Sequence, residues 1–144
     1  MMGKQALQLL LAGIHADLQA YDALTSLLER QFASVLQHAT VQLADIGDEI
    51  TATCAALEAR RSERVSLVDA LLPRIDAPAA ERMEQVLRQL PQPYREAAEK
   101  AWTMLGERIR HCKALNERNC GQLLVQHELM MQVLAPQGET YAPR

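Results

Sequence analysis

Aromatic side chains are nearly missing from this sequence: Phe, Trp and Tyr make up 3% of its 144 residues. Proteins that grip single-stranded nucleic acid stack bases on aromatic platforms, and these few scattered rings supply none. A surplus of basic charge is missing as well. The formal net charge is −3 and the pI is near 5.8, whereas a duplex binder needs a concentrated cationic face to displace counterions. The densest basic cluster, Arg60, Arg61 and Arg64, is interleaved with Glu58 and Glu63. Nucleic acid is not an expected partner.

No apolar run reaches the roughly 18 residues that a membrane-spanning helix requires, so direct membrane insertion is not expected. Lys4 followed by the stretch Ala6 to Ala12 faintly resembles a leader peptide. Gln8 interrupts it, however, and its helical period runs on well past it, so a secreted product is not expected. Cysteine is sparse too. Cys54, Cys112 and Cys120 are an odd number with no C-x-x-C pair. That predicts reduced, buried thiols in a cytosolic protein rather than a disulfide frame.

What is present is aliphatic. Hydrophobic residues make up 49% and charged residues 23% of the chain, an ordinary balance for one folded domain. With so few rings, the core must be Leu, Ile, Val, Met and Ala, which pack well between helices. Apolar residues recur at Leu7, Leu10, Leu11, Ile14, Leu18, Tyr21, Leu28, Phe32 and Val35. Steps of three, four and seven place them on one stripe of a helix over about 4–37. The phase slips around Gln37 to Thr40, where Thr40 is a candidate N-cap. A second stripe runs through Leu43, Ile46, Ile50, Cys54, Leu57, Val65, Val68, Leu71 and Leu72 and stops at Pro73, giving a helix over about 41–72. The expected arrangement is two antiparallel helices with a tight turn, with one unbroken helix through 37–41 as the competing reading.

Asp76 is a candidate N-cap for a short helix over about 77–90 that carries Met83, Val86, Leu87 and Leu90, with Pro78 in its first turn. Pro91 and Pro93 break it. A last helix over about 94–134 carries Ala98, Trp102, Leu105, Ile109, Cys112, Leu115, Asn116, Asn119, Leu123, Met130 and Leu134. The expected architecture is all-α: an elongated antiparallel bundle, or coiled coil, of three long helices plus one short helix. It forms a single domain over 1–135 with a mobile tail at 136–144.

Catalytic and metal chemistry find little support. His111, Cys112, Cys120 and His127 are strung over roughly 22 Å of one helix, too far apart for one ion. His15 lacks the Lys-Gly pair that follows a phosphotransfer histidine. Asp45, Asp48, Glu49, Glu96 and Glu99 fit a solvated helix face better than an acid–base pair. No phosphate loop, serine elbow or Cys–His dyad occurs. Neither an enzyme nor a cofactor is expected.

Two features of the last helix stand out. Asn116 and Asn119 interrupt an apolar stripe. They either point to solvent or, buried, fix register at some cost in stability. Beyond them, Leu123-Leu124-Val125, Leu129-Met130-Met131 and Val133-Leu134 are apolar on more than one face. That width means either deeper burial or a surface awaiting a partner, and adjacent methionines adapt readily to varied partners.

Together these features resemble the flagellar export chaperones of the FlgN family. The resemblance rests on Leu27-Leu28-Glu29 in the first helix and Leu57-Glu58-Ala59-Arg60-Arg61 in the second. The Pro-rich break, Leu115-Asn116-x-x-Asn119 before Leu123-Leu124, and the tail Tyr141 complete it. Two departures are visible: Cys120 separates Asn119 from Gly121, and Ala142 rather than Gly follows Tyr141.

The resemblance implies a cytoplasmic type III secretion chaperone without a cofactor. It would bind the C-terminal helical segments of the hook–filament junction proteins FlgK and FlgL, block premature assembly, and deliver them to the export gate. It also implies a client site on the last helix, here Leu115, Asn116, Asn119, Leu123, Leu124, Met130 and Leu134. Tyr141 would dock on the gate protein FlhA, and the client-free chain could self-associate. A structural coiled-coil or oligomerisation module, or a chaperone for a different secretion substrate, are the alternatives.

Overall fold

The structure, a computed structural model, describes residues 2–72 and 78–134. Helix α1 spans Met2–Leu36, α2 Thr40–Leu71, α3 Ala79–Arg88 and α4 Tyr94–Leu134, and the described residues include no strand. None of these helices is long and apolar enough to cross a membrane.

Helix α1 is the spine, because both α2 and α4 pack along it. Its buried stripe runs Leu10, Ile14, Asp17, Leu24, Leu28 and Val35, the three-and-four spacing of one helix face. Ion pairs and hydrogen bonds set the directions. Asp17 pairs with Arg60 and Arg64, so α2 runs back along α1. Tyr21 meets Cys112 and Leu28 meets Asn119, so α4 runs parallel to α1.

The turn at 37–39 settles the choice between a hairpin and one continuous helix. His38 sits at φ 55°, in the left-handed region that glycine usually fills at a helix C-terminus. The His38 amide donates to Val35 O at 3.2 Å and the Ala39 amide to Ser34 O at 2.9 Å. This is the paired bonding of a Schellman motif. Histidine in that place strains the backbone, while glycine would fit at no steric cost. His38→Gly is therefore expected to hold or raise the melting temperature, and His38→Val to lower stability by about 1–2 kcal/mol. Thermal unfolding followed by circular dichroism checks the order, and a Val variant as stable as the Gly variant would refute the strain.

Several helix ends differ from expectation. Thr40 is the first residue of α2 rather than its cap; Ala39 holds the cap position without a side-chain hydrogen bond. Asp76, the expected cap of α3, lies outside the described residues, and α3 begins at Ala79 directly after Pro78. Its end comes at Arg88. The amides of Gln89 and Leu90 bond three residues back, to Val86 and Leu87, which tightens the last turn.

The core is unevenly distributed. At the α3 end, Met83, Val86, Leu87 and Leu90 are buried against Leu10, Ile14, Val68, Leu72, Ala98, Ala101 and Leu105. Four helices meet there. A second, smaller cluster of Leu24, Leu28, Leu57, Cys112 and Leu115 continues up the bundle without α3. Past it, the cover on α4 runs out.

Candidate protein-binding face

On α4 the line facing α1 is Ala101, Leu105, Cys112, Leu115 and Asn119, all buried. Asn119 has no exposure, and its Nδ2 donates to Leu28 O at 2.7 Å and Gln31 Oε1 at 2.8 Å. Arg118 donates to its Oδ1 at 3.1 Å, pairs with Glu29 at 2.7 Å and lies 3.8 Å over the Phe32 ring. Asn119 is thus fully satisfied and locks the register of α4 on α1.

Beyond Asn119 the pattern inverts. The residues continuing the α1-facing line are Gln122 and Gln126, both half-buried. The apolar side chains, some on the azimuth of that line and others around the helix, lie open: Leu123, Leu124, Val125, Leu129, Met130, Met131, Val133 and Leu134 are between 38% and 79% exposed. These are eight of the fourteen large hydrophobic residues exposed among those described, so the apolar surface is concentrated in one segment rather than scattered.

The residues proposed from sequence divide accordingly. Leu123, Leu124, Met130 and Leu134 are exposed on the bare segment, and Asn116 is exposed on the same side about two turns below Leu123. Leu115 and Asn119 are turned into the chain's own bundle, 8% and 0% exposed. Their place is to hold the helix that presents the others. Val125, Leu129, Met131 and Val133 belong to the exposed surface on the same grounds. The apolar width of the sequence signals them, although a single-stripe reading of the helix leaves them out. Tyr141 lies outside the described residues.

The bare face has a partnered counterpart lower on the same helix. At about 100° per residue, Ala98, Trp102 and Leu105 share the azimuth of Leu123, Leu134 and Met131. Helix α3 packs on the lower part of this face. Among the described residues no element covers the upper part, where Ile109 is already 40% exposed.

Among the described residues, no catalytic constellation accompanies it. A groove of about 480 Å³ between α1 and α2 is lined by Leu9, Ser62, Glu63, Ser66 and Leu67, without the converging acid, base and nucleophile that catalysis needs. Among the described residues no group of three or more His, Cys, Asp or Glu side chains could hold a metal ion.

The cysteines correct one expectation. Cys112 is buried, but Cys54 and Cys120 are exposed, because the upper bundle has too few helices to cover all its faces. The Cys112 thiol donates to Tyr21 O at 3.5 Å and touches Thr25 Oγ1 at 3.2 Å; burial pushes its pKa up. The thiolate is the reactive form. At pH 8, Cys54 and Cys120 are therefore expected to react with a chromogenic disulfide at least about tenfold faster than Cys112. Three equally fast thiols would contradict this packing.

The model of the family described as FlgN protein matches residues 1–134 of the chain. No curated protein and no solved structure matches it.

Proposed function

Because the chain belongs to the FlgN family, a family of flagellar export chaperones, we propose that its clients are the C-terminal helical segments of FlgK and FlgL. It would hold them in the cytoplasm on the bare face of α4. The observation that carries this reading is the segment 123–134, helical throughout and apolar, yet uncovered by the rest of the bundle. An amphipathic client helix would lay its stripe there as α3 lays Met83, Val86 and Leu87 on the lower part. Leu123, Leu124, Met130 and Leu134 form the contact, with Asn116 at its rim and Leu115 and Asn119 fixing the helix beneath.

Calorimetric titration with a FlgK or FlgL C-terminal segment tests it. A negative heat-capacity change is expected, since apolar burial produces one. Failure of both segments to bind would overturn the client assignment. Delivery is proposed to use Tyr141 docking on FlhA. Tyr141→Ala should then leave client affinity unchanged and weaken FlhA binding about tenfold or more, as loss of a buried aromatic anchor does. Equal FlhA affinity would remove the tail from that role.

A permanent self-association module is the second reading, favoured by the same uncovered face. Light scattering separates the two. A dimer that persists on adding client supports the module, and one that dissociates supports the chaperone.

A further inference from the structure

Helix α4 lies on α1 along a seam that repeats every seven residues, as in a coiled coil. Cys112 reaches Tyr21 O and Asn119 reaches Leu28 O, both across 91 residues. The same step sets Leu105 beside Ile14 lower down and Gln126 beside Val35 higher up, and it puts Leu36, the last residue of α1, level with residue 127. Up to Asn119 the α4 side of the seam is buried: Leu105, Cys112, Leu115 and Asn119. Past Asn119 it consists of Gln122 and Gln126, both half-buried, and every other residue from Cys120 to Leu134 is exposed.

The cross-helix bonds stop at the same height. Arg108 pairs with Asp22, Arg118 pairs with Glu29 and lies over Phe32, and Asn119 bonds Leu28 O and Gln31. Among the described residues, none past Asn119 is joined to another helix by an ion pair or a side-chain hydrogen bond. Gly121 comes two residues later, and glycine inside a helix disfavours it about fivefold relative to alanine. A helix melting inward from Leu134 therefore gives up little but its own backbone bonds until it meets Asn119. There it would have to strand a buried amide and break the Arg118 contacts together, which is costly.

We propose that α4 is two stability units meeting at Asn119. The lower one, Tyr94 to Asn119, opens only when the bundle unfolds. The upper one, 121–134, opens and rewinds by itself as one unit, and the Asn119–Arg118 clamp stops that opening from spreading downward. The upper unit is wound most of the time. While open it is a flexible apolar tail, so any partner that needs it helical competes with the opening. The device operates whichever partner uses the strip.

Amide hydrogen exchange on the whole chain, read residue by residue by NMR, tests this. Amides 125–134 are expected to share one opening constant, at least about a hundredfold larger than that of 105–119. Gly121→Ala, whose added Cβ meets no neighbour, should lower that constant about threefold to fivefold, as strongly at Met131 as at Gln126, and leave 105–119 unchanged. Gly106→Ala should leave 125–134 as they are. Arg118→Ala should carry the opening down to about Leu115. Protection that fades gradually toward Leu134, with Gly121→Ala felt only beside residue 121, would mean ordinary end fraying and overturn the unit. Amides 125–134 as slow as 105–119 would overturn it as well, and an unmoved boundary in Arg118→Ala would refute the clamp as its stop.

Discussion

Replacing Leu123 and Leu124 together by Asp is expected to weaken client capture by at least about a hundredfold and leave the helix content unchanged. The two side chains are 38% and 58% exposed in the free chain, so neither contributes much to the fold, and Asp is tolerated on a solvated helix face. In the complex each would be covered. Together the two bury about the exposed surface of one leucine side chain, worth about 1.5–3 kcal/mol, and each unpaired carboxylate left in the contact costs about 1–3 kcal/mol more. The sum exceeds the roughly 2.7 kcal/mol that a hundredfold represents. Titration with a FlgK or FlgL segment, alongside far-ultraviolet circular dichroism, is the measurement. Wild-type affinity in a folded double variant would show that clients dock elsewhere.

The second large effect concerns stability. Asp17 is 1% exposed in the middle of the α1 stripe. Arg60 Nε and Arg64 Nη1 each donate to one of its oxygens, and Arg64 also lies over the Trp102 ring, 5.6 Å from its centroid. One carboxylate thus ties α1 to two turns of α2, and through Arg64 to α4. Removing one partner of a buried pair typically costs about 3–5 kcal/mol. The side chains of Arg60 and Arg64 keep 26% and 15% of their exposure and can turn partly to water. Asp17→Ala is therefore expected at the lower end, a loss of about 3 kcal/mol, with the melting point falling by about 10 °C. Urea unfolding checks it. A change under about 0.5 kcal/mol, typical of an exposed ion pair, would mean that the cluster is solvated in practice.

That cluster also marks the limit of what periodicity reveals. The helices, their order and the breaks at Pro73 and Pro91 are legible because each follows from local spacing or from a residue that cannot continue a helix. Asp17 is not. It holds a core position on the stripe, but a charged residue there is recognisable only once Arg60 and Arg64 are known to face it from another helix. The same two arginines read in sequence as part of the densest basic cluster. In space they are committed to Asp17 between α1 and α2.

The left-handed cap at His38, unlike the hairpin itself, was hidden for a related reason. A left-handed cap normally announces itself by glycine, and here histidine takes the strain instead. The binding face was half legible. Excess apolar width on the last helix shows in the sequence, but which residues are covered depends on where α1 ends. Leu115 and Asn119 fall well inside that limit, Leu123 to Val125 lie alongside the last turn or so of α1, and the residues past 127 lie beyond it. The two exposed cysteines escaped for the same cause, since their burial depends on how many helices pack at their height.

The unequal cover along α4 has a consequence for recognition speed. A peptide of about a dozen residues is seldom helical alone in water, because starting the first turn is costly. Residues 123–134 avoid that cost by growing from a helix already anchored from Tyr94 to Asn119. Nucleation is settled upstream, so on the proposed reading the chaperone would meet its guest with the strip already wound, and only the guest would have to order itself.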